Sequence, residues 1–108
     1  MTTFDFGSGS VPAHQHSNGG GWVADTATVS DTVCVGRAAR VSGYAVVTGN
    51  VRVTDNARVY GNARVYGNAV VYGDAVVSGD ASVSGYAWVY GNAVVDGYQF
   101  SLTAPRVS

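Results

Sequence analysis

Valine recurs every six residues over most of this chain, and this spacing constrains the fold more than any other feature. The series begins at Val23 and continues without interruption to Val95. A small side chain, usually alanine, stands four residues after nearly every valine, as in the successive units VYGNAR, VYGNAV and VYGDAV. The unit is therefore Val-x-Gly-x-Ala-x, and a fixed internal period indicates a repeat architecture.

A period of six residues excludes an amphipathic helix. Six residues of α-helix turn about 600°, so successive valines would lie on different sides of the helix. The chain also contains no Glu and no Lys, which usually cover exposed helix faces. In an extended strand alternate residues share a face, and a Gly beside Asn or Asp every six residues supplies a turn. The pattern predicts short strands joined by corners.

Three such strands close a triangle of about 18 residues, and each coil hydrogen-bonds to the next at about 4.8 Å. The sequence therefore predicts an all-β triangular prism, a parallel β-helix of about four coils, with valines and alanines pointing inward. Residues 18 apart should stack as ladders on three outer faces. We expect an N-terminal arm and cap at 1–22, the repeat at 23–98 and a C-terminal cap at 99–108. Asp25, Asp31 and Asp55 are expected to be simple corner residues.

The repeat resembles the hexapeptide-repeat, left-handed parallel β-helix family from Val23 to about Tyr98. The resemblance implies a single-stranded left-handed helix, and the hand follows from it alone because ordinary β-crossovers are right-handed. It also implies a homotrimer. The segment GGGWVADTATV (Gly19 to Val29) and the YGNARVYGNA core are similar to small repeat proteins encoded by phages and prophages.

Both ends of a solenoid need a cover, because the end coils expose apolar core and unpaired strand edges. Aromatic and apolar residues flank the repeat on either side and are predicted to form the caps. We expect the Gly- and Ser-rich arm to pack on its own first coil or on a neighbouring subunit. The predicted cap residues are Phe4, Phe6, Val11 and Trp22 at the front and Phe100, Leu102 and Pro105 at the back.

Large side chains accumulate at the end of one predicted ladder: Val70, Tyr72, Trp88 and Tyr90. A contiguous apolar patch of this kind usually marks an interface, so we expect it to join copies of the chain in a homo-oligomer. The alternative is that these residues merely shield the backbone, since Tyr and Trp are common on β surfaces.

Arg40 is predicted to lie directly over Arg58, where like charges repel. Trp22 and Tyr60 are candidate cation-π partners, and an anionic ligand or an acidic protein surface would use the guanidinium groups. Together with His14 and His16 on the arm, these residues form the predicted partner site. The alternative is that both Arg side chains are simply solvated.

His14 and His16 also form the one suggestive metal spacing. In a strand both rings would point the same way, and a threefold axis would bring six imidazoles together for iron or another transition metal. The spacing resembles the His-x-His iron sites of phage spikes and fibres. The alternative is that both are ordinary hydrogen-bonding groups, and no other cofactor is expected.

Hexapeptide acyltransferases use a His base near a loop that interrupts the coils, whereas residues 23–98 contain neither a His nor an insertion. We therefore predict that the protein is not an enzyme, with Cys34 an ordinary surface thiol.

Charge, hydropathy and cysteine content indicate where the protein is expected to reside and which partners are not expected. A net charge of −1 argues against nucleic-acid binding, and no apolar run approaches the length of a membrane span. The first ten residues lack the features of a secretory signal, and a single cysteine favours the host cytoplasm.

The leading hypothesis is a non-catalytic, homo-oligomeric phage or prophage binding protein whose partner is a host protein, as for a host-defence inhibitor, or a small anionic ligand. The alternatives are a virion spike or fibre segment with a metal at the paired His, and a degenerate relative of the acyltransferases.

Overall fold

The computed structural model describes residues 2–6, 9–85, 87–92, 94–96, 99–102 and 106–107, with the backbone alone for residues 96, 99–102 and 106–107. The predicted cap residues Phe100, Leu102 and Pro105 therefore have side chains outside the described part. Every strand is short. In chain order the strands are β1 (Thr3–Asp5), β2 (Ser10–Gln15), β3 (Trp22–Ala24), β4 (Thr28–Val29), β5 (Cys34–Val35), β6 (Arg40–Val41), β7 (Val46–Val47), β8 (Arg52–Val53), β9 (Arg58–Val59), β10 (Arg64–Val65), β11 (Val70–Val71), β12 (Val76–Ser78), β13 (Ser82–Gly85), β14 (Trp88–Val89), β15 (Val94–Asp96), β16 (Gln99–Leu102) and β17 (Arg106–Val107).

The strands form three sheets that run along a prism. One sheet has seven strands in the order β1-β2-β3-β6-β9-β12-β15, and the other two have five each, β4-β7-β10-β13-β16 and β5-β8-β11-β14-β17. From β3 onward each strand pairs in parallel with the strand three elements later in the chain. The predicted all-β parallel solenoid of about four coils is thus confirmed.

The predicted ladders are also confirmed. Trp22 pairs with Arg40, and Arg40 pairs with Arg58 on the first face. On the third face Val70 pairs with Trp88. Partners are 18 residues apart in each case, so the outer surface consists of vertical rows of residues that recur once per coil.

The core is a column of valines and alanines with essentially no solvent exposure, including Val41, Val59 and Ala63 at 0%. These residues alternate with outward ones because successive side chains of a strand point to opposite faces. Val29, on the first coil, is half-buried and packs against this column. The six-residue period therefore records the inward positions of the prism.

From residue 43 to residue 91 each corner turns through one residue with positive φ, which glycine adopts at little cost. Gly67 has a φ of 77°, and a Cβ built there would lie 2.9 Å from the backbone nitrogen of Gly85. Asp55 occupies the same slot of its unit with a φ of 58°, and its Oδ2 accepts a hydrogen bond from the Gly73 amide at 3.1 Å. The corner is therefore held by backbone geometry that repeats from coil to coil.

Side chains at the corners also stack between coils. The Asn50 amide donates to Asn68 Oδ1 at 3.3 Å, and Asn56 donates to Asp74 Oδ1 at 3.4 Å. The whole chain measures 40 × 25 × 19 Å along its principal axes. Across the described residues, no helix is long and apolar enough to cross a lipid bilayer.

Candidate functional site

The N-terminal arm adds two strands to the first face of the solenoid. Strand β2 pairs antiparallel with β3, and β1 pairs antiparallel with β2. The loop that follows β2 is fastened to the first coil, since the Gly21 amide donates to Val35 O and the Val35 amide donates to Asn18 O, both at 2.9 Å. The chain's own first coil is therefore the surface on which the arm packs.

Aromatic contacts hold the arm against the first face. The Phe4 ring stacks on Trp22 with centroids 4.8 Å apart and planes inclined by 17°, and Phe6 meets Phe4 edge-on, also at 4.8 Å. The guanidinium carbon of Arg40 lies 5.1 Å from the Phe4 centroid. The expectation that Trp22 or Tyr60 supplies the cation-π partner of Arg40 is thus corrected to Phe4, which the sequence identifies only as a cap residue.

The two histidines of the arm have different surroundings. His14 is exposed, and its Nδ1 lies 2.7 Å from Asp25 Oδ1. His16 follows the end of β2, is 5% exposed, and its Nε2 lies 2.7 Å from Val33 O. The expectation that both rings point the same way is therefore wrong for this chain. The His16 ring is buried and contacts a carbonyl of the core, an environment typical of a structural residue. The described residues contain no group of three or more His, Cys, Asp or Glu that could hold a metal.

The six residues of the predicted partner site therefore have different surroundings. Arg58 is exposed one strand beyond Arg40. The six residues lie as follows: Trp22 and Arg40 against Phe4, Arg58 in solvent, Tyr60 at the edge of a cleft, His14 beside Asp25 and His16 in the interior.

That cleft has a volume of about 510 Å³ and lies between the arm and the first corner of the solenoid. The arm supplies one wall and the corners of three coils supply the other. A backbone hydrogen bond of 2.9 Å from the Asp25 amide to Pro12 O ties the two walls together. The principal lining side chains are Phe6, Val11, Pro12, Asp25, Tyr44 and Tyr60.

The predicted interface residues form a contiguous aromatic cluster, which we define as Val70, Tyr72, Trp88 and Tyr90. The rings of Tyr72 and Tyr90 stack at 5.2 Å with planes 9° apart, and Trp88 meets Tyr72 edge-on at 6.5 Å. Trp88 is 40% exposed and the other three residues are half-buried. The cluster is therefore an ordered, partly exposed apolar surface on the third face.

Two further side chains have chemistry of note. Hydrogen bonds to the hydroxyls of Ser82 and Ser84 lower the pKa of the Tyr66 phenol, and the charge of Arg64 acts more weakly in the same direction. Cys34 is a free, half-buried thiol whose strand neighbour is Arg52. Tyr66 belongs to the second face and Cys34 to the third, so neither adjoins the cleft.

Sequence reasoning missed Asp25 and Tyr44 as lining residues of the cleft. Asp25 looks like any other corner residue, because only the folded arm converts that corner into a wall. Tyr44 carries a detectable signal, since it occupies the slot after the corner glycine that holds Asn50, Asn62 and Asn68 in later units. Asn or Asp fills this slot in every unit from residue 50 to residue 80, and tyrosine returns at Tyr86 and Tyr98, so Tyr44 departs from the polar consensus of the units that follow it.

Comparison with known proteins supports the solenoid. The family model described as YdcK beta solenoid repeat matches residues 57–73 and 63–79. The two windows start one six-residue unit apart, so the match follows the repeat, and together they cover fewer than half of the 108 residues. Searches of curated proteins and of solved structures each found no match.

Proposed function

We propose that this protein is a non-catalytic binding scaffold that works as a homo-oligomer, with a trimer as the expected assembly. The observation that carries the proposal is the aromatic cluster on the third face. A Trp and two Tyr side chains form one partly exposed surface on a rigid prism. Such residues commonly supply most of the binding energy in protein interfaces.

The geometry of the cluster suits self-association. Tyr72 and Tyr90 occupy equivalent positions on successive coils and already stack on one another, so little rotamer freedom is lost when a partner packs on them. Only 12% of the residues in the chain are charged, which leaves few groups to oppose association. A second copy of the chain is therefore the partner that we assign to this face.

The first face supports the wider partner hypothesis. Arg58 is exposed on the strand next to that of Arg40, whose guanidinium lies over Phe4, so Arg58 presents its guanidinium to an acidic group. We propose that the oligomer is of phage or prophage type and uses this face for an acidic host protein or a small anionic ligand.

Replacing Trp88 tests the assembly. We expect the wild-type protein to be oligomeric at tens of micromolar and Trp88→Asp to be monomeric, because a buried carboxylate in the cluster would lose its hydration. Val94→Asp is the matched control, since Val94 is exposed in the same repeat slot on another face. Native mass spectrometry of freshly purified protein reports subunit number and any carried ligand together. A monomeric wild type would refute the proposal.

Acyl transfer is the competing candidate, and one observation favours it. The 2.7 Å contact between His14 and Asp25 is the arrangement by which a carboxylate orients a histidine base. Both side chains are 53% exposed, however, so water has open access to the pair.

We expect no catalysis from this pair. Incubation with acetyl-coenzyme A and a panel of amine and hydroxyl acceptors should release no free thiol above background. Sustained turnover that His14→Ala abolishes would establish acyl transfer instead.

A further inference from the structure

The cleft between the arm and the first corner has the size of a small-molecule site, and its walls are fixed to each other. Its volume of about 510 Å³ lies within the range usual for ligand pockets. The hydrogen bond from the Asp25 amide to Pro12 O holds the arm wall on the corner wall. The cleft is therefore a preformed feature of the folded chain.

The cleft wall carries a carboxylate. Asp25 is the one charged side chain among the described residues that line it, and none of those residues is cationic. Oδ1 of this carboxylate lies 2.7 Å from a ring nitrogen of His14, so a ligand in the cleft would meet the other oxygen, Oδ2. An anionic ligand would be repelled here, whereas a positively charged nitrogen is complementary.

Aromatic rings provide the rest of the recognition surface. Phe6 lines the cleft from the arm, and Tyr44 and Tyr60 line it from the solenoid. Ring faces attract cations through their quadrupole, most strongly where water is partly excluded. A carboxylate together with several aromatic rings is a chemistry that selects an organic cation.

The stability of the repeat does not explain Tyr44. Its side chain is 69% exposed, so it gains little from packing. At the equivalent position of the next unit, the Asn50 side-chain amide donates a hydrogen bond to Asn68 on the next coil. A tyrosine has no side-chain amide and cannot make this contact. Tyr44 thus keeps the backbone hydrogen bond to Gly61 O of the next coil but replaces the side-chain amide contact with a ring that lines the cleft.

We propose that this cleft binds an organic cation, an alkylammonium or guanidinium group, with Asp25 as its counter-charge and Tyr44 and Tyr60 against its apolar surface. The cation belongs to a small free molecule or to a Lys or Arg side chain of a protein. This site is separate from the aromatic cluster on the third face, and its ligand class goes beyond the proposed function.

Titration of the 108-residue chain, followed by amide chemical shifts, tests the site with three probes. Choline represents a free alkylammonium, N-acetyl-arginine amide represents a protein side chain, and the carbon isostere of choline has the same shape without charge. We expect one or both cations to bind with shifts around the cleft, and the isostere to bind at least about tenfold more weakly. Equal binding of the isostere would overturn the proposal. So would shifts around the cleft that are caused by maltose, an uncharged sugar, and not by the cations.

Matched variants locate the binding. Asp25→Asn should weaken cation binding about tenfold, and Tyr44→Asn several-fold. Asp31→Asn is the control, because Asp31 occupies the same corner slot one unit later without lining the cleft. We expect it to change affinity by less than about twofold, and a loss equal to that of Asp25→Asn would refute the assignment.

The isostere comparison is made on wild-type protein, so it stands even where a variant folds poorly. Trp88→Asp should still bind the cation as a monomer. Failure of the oligomer and failure of the cleft are therefore distinguishable.

Discussion

Two corners of the same solenoid have one backbone and different surfaces. We call residues 25, 26, 43, 44, 61 and 62 the first corner column and residues 31, 32, 49, 50, 67 and 68 the second. In the first column the Thr26 hydroxyl donates to Gly43 O, and in the second Thr32 donates to Gly49 O. Both columns turn the chain in the same way. The side chains that differ between them are therefore not needed to form the turn.

The differences are concentrated on the outside. The arm closes over the first column and forms the cleft, whereas the cleft does not reach the second column. Tyr44 stands in the first column where the second has Asn50, whose amide bonds to Asn68. Inward positions and corner glycines thus maintain the prism, and the outward slots are free to diverge. Function in such a fold is expected where a slot departs from its repeat.

The largest expected effect tests whether the two columns share one backbone requirement. Gly61→Ala and Gly67→Ala should each lower the free energy of unfolding by about 2 to 4 kcal/mol, because both residues have positive φ and a new Cβ would lie 2.9 Å from a backbone nitrogen of the next coil. Gly36→Ala is the control, since Gly36 is not in that conformation and its nearest contact would be 3.3 Å. Urea denaturation measures all three, and a large difference between Gly61→Ala and Gly67→Ala would show that the columns are not equivalent.

An intermediate effect is expected where the arm meets the first face. Phe4→Ala removes the stack on Trp22 and the contact with Arg40, which should cost about 2 kcal/mol locally. Amide hydrogen exchange in β2 should accelerate by more than tenfold, while amides in β10 keep their protection. Phe4→Leu, which retains most of the apolar volume, should have a smaller effect. Equal acceleration in β2 and β10 would mean that the arm is part of the global folding unit.

The smallest effect is expected at the position where the two columns differ, which is Tyr44 in the first column and Asn50 in the second. Tyr44→Asn should raise the free energy of unfolding by about 0.5 kcal/mol, because it permits the amide contact between coils that Asn50 and Asn68 make. The reciprocal change, Asn50→Tyr, should lower it by a similar amount. Thermal unfolding monitored by circular dichroism compares the pair. A loss of more than 1 kcal/mol in Tyr44→Asn would show that the ring stabilises the fold rather than serving the cleft.

The period of the sequence was sufficient to predict the solenoid. Val41 and Val59 are buried because every sixth residue points inward, and Arg40 lies beside Arg58 because ladders join residues 18 apart. The aromatic cluster could be predicted for the same reason, since Tyr72 and Tyr90 are related by one coil. Its role as an interface remains a prediction.

The arm could not be predicted in the same way, because its Gly- and Ser-rich sequence has no period. Its partners are chosen by long-range contacts, such as Phe4 on Trp22 and His16 on Val33 O. The cleft depends on that docking and joins residues as distant in sequence as Phe6 and Tyr60. The repeat therefore predicts the geometry of the solenoid. It does not predict the cleft, because the cleft forms only when the arm packs on the first coil.

The two strands of the arm also make the end of the prism uneven. The first sheet extends two strands beyond β3, whereas the other sheets begin at β4 and β5 in the first coil. At about 4.8 Å per strand, the sheet of the arm extends about 10 Å beyond β3, while the loop after β2 covers β5 through hydrogen bonds of the Gly21 and Val35 amides. A flat-ended solenoid is a template for axial polymerisation, because an incoming molecule can add strands to all three sheets at once. We expect an incoming copy to meet this uneven, covered end, so that the arm opposes growth of the prism into a filament.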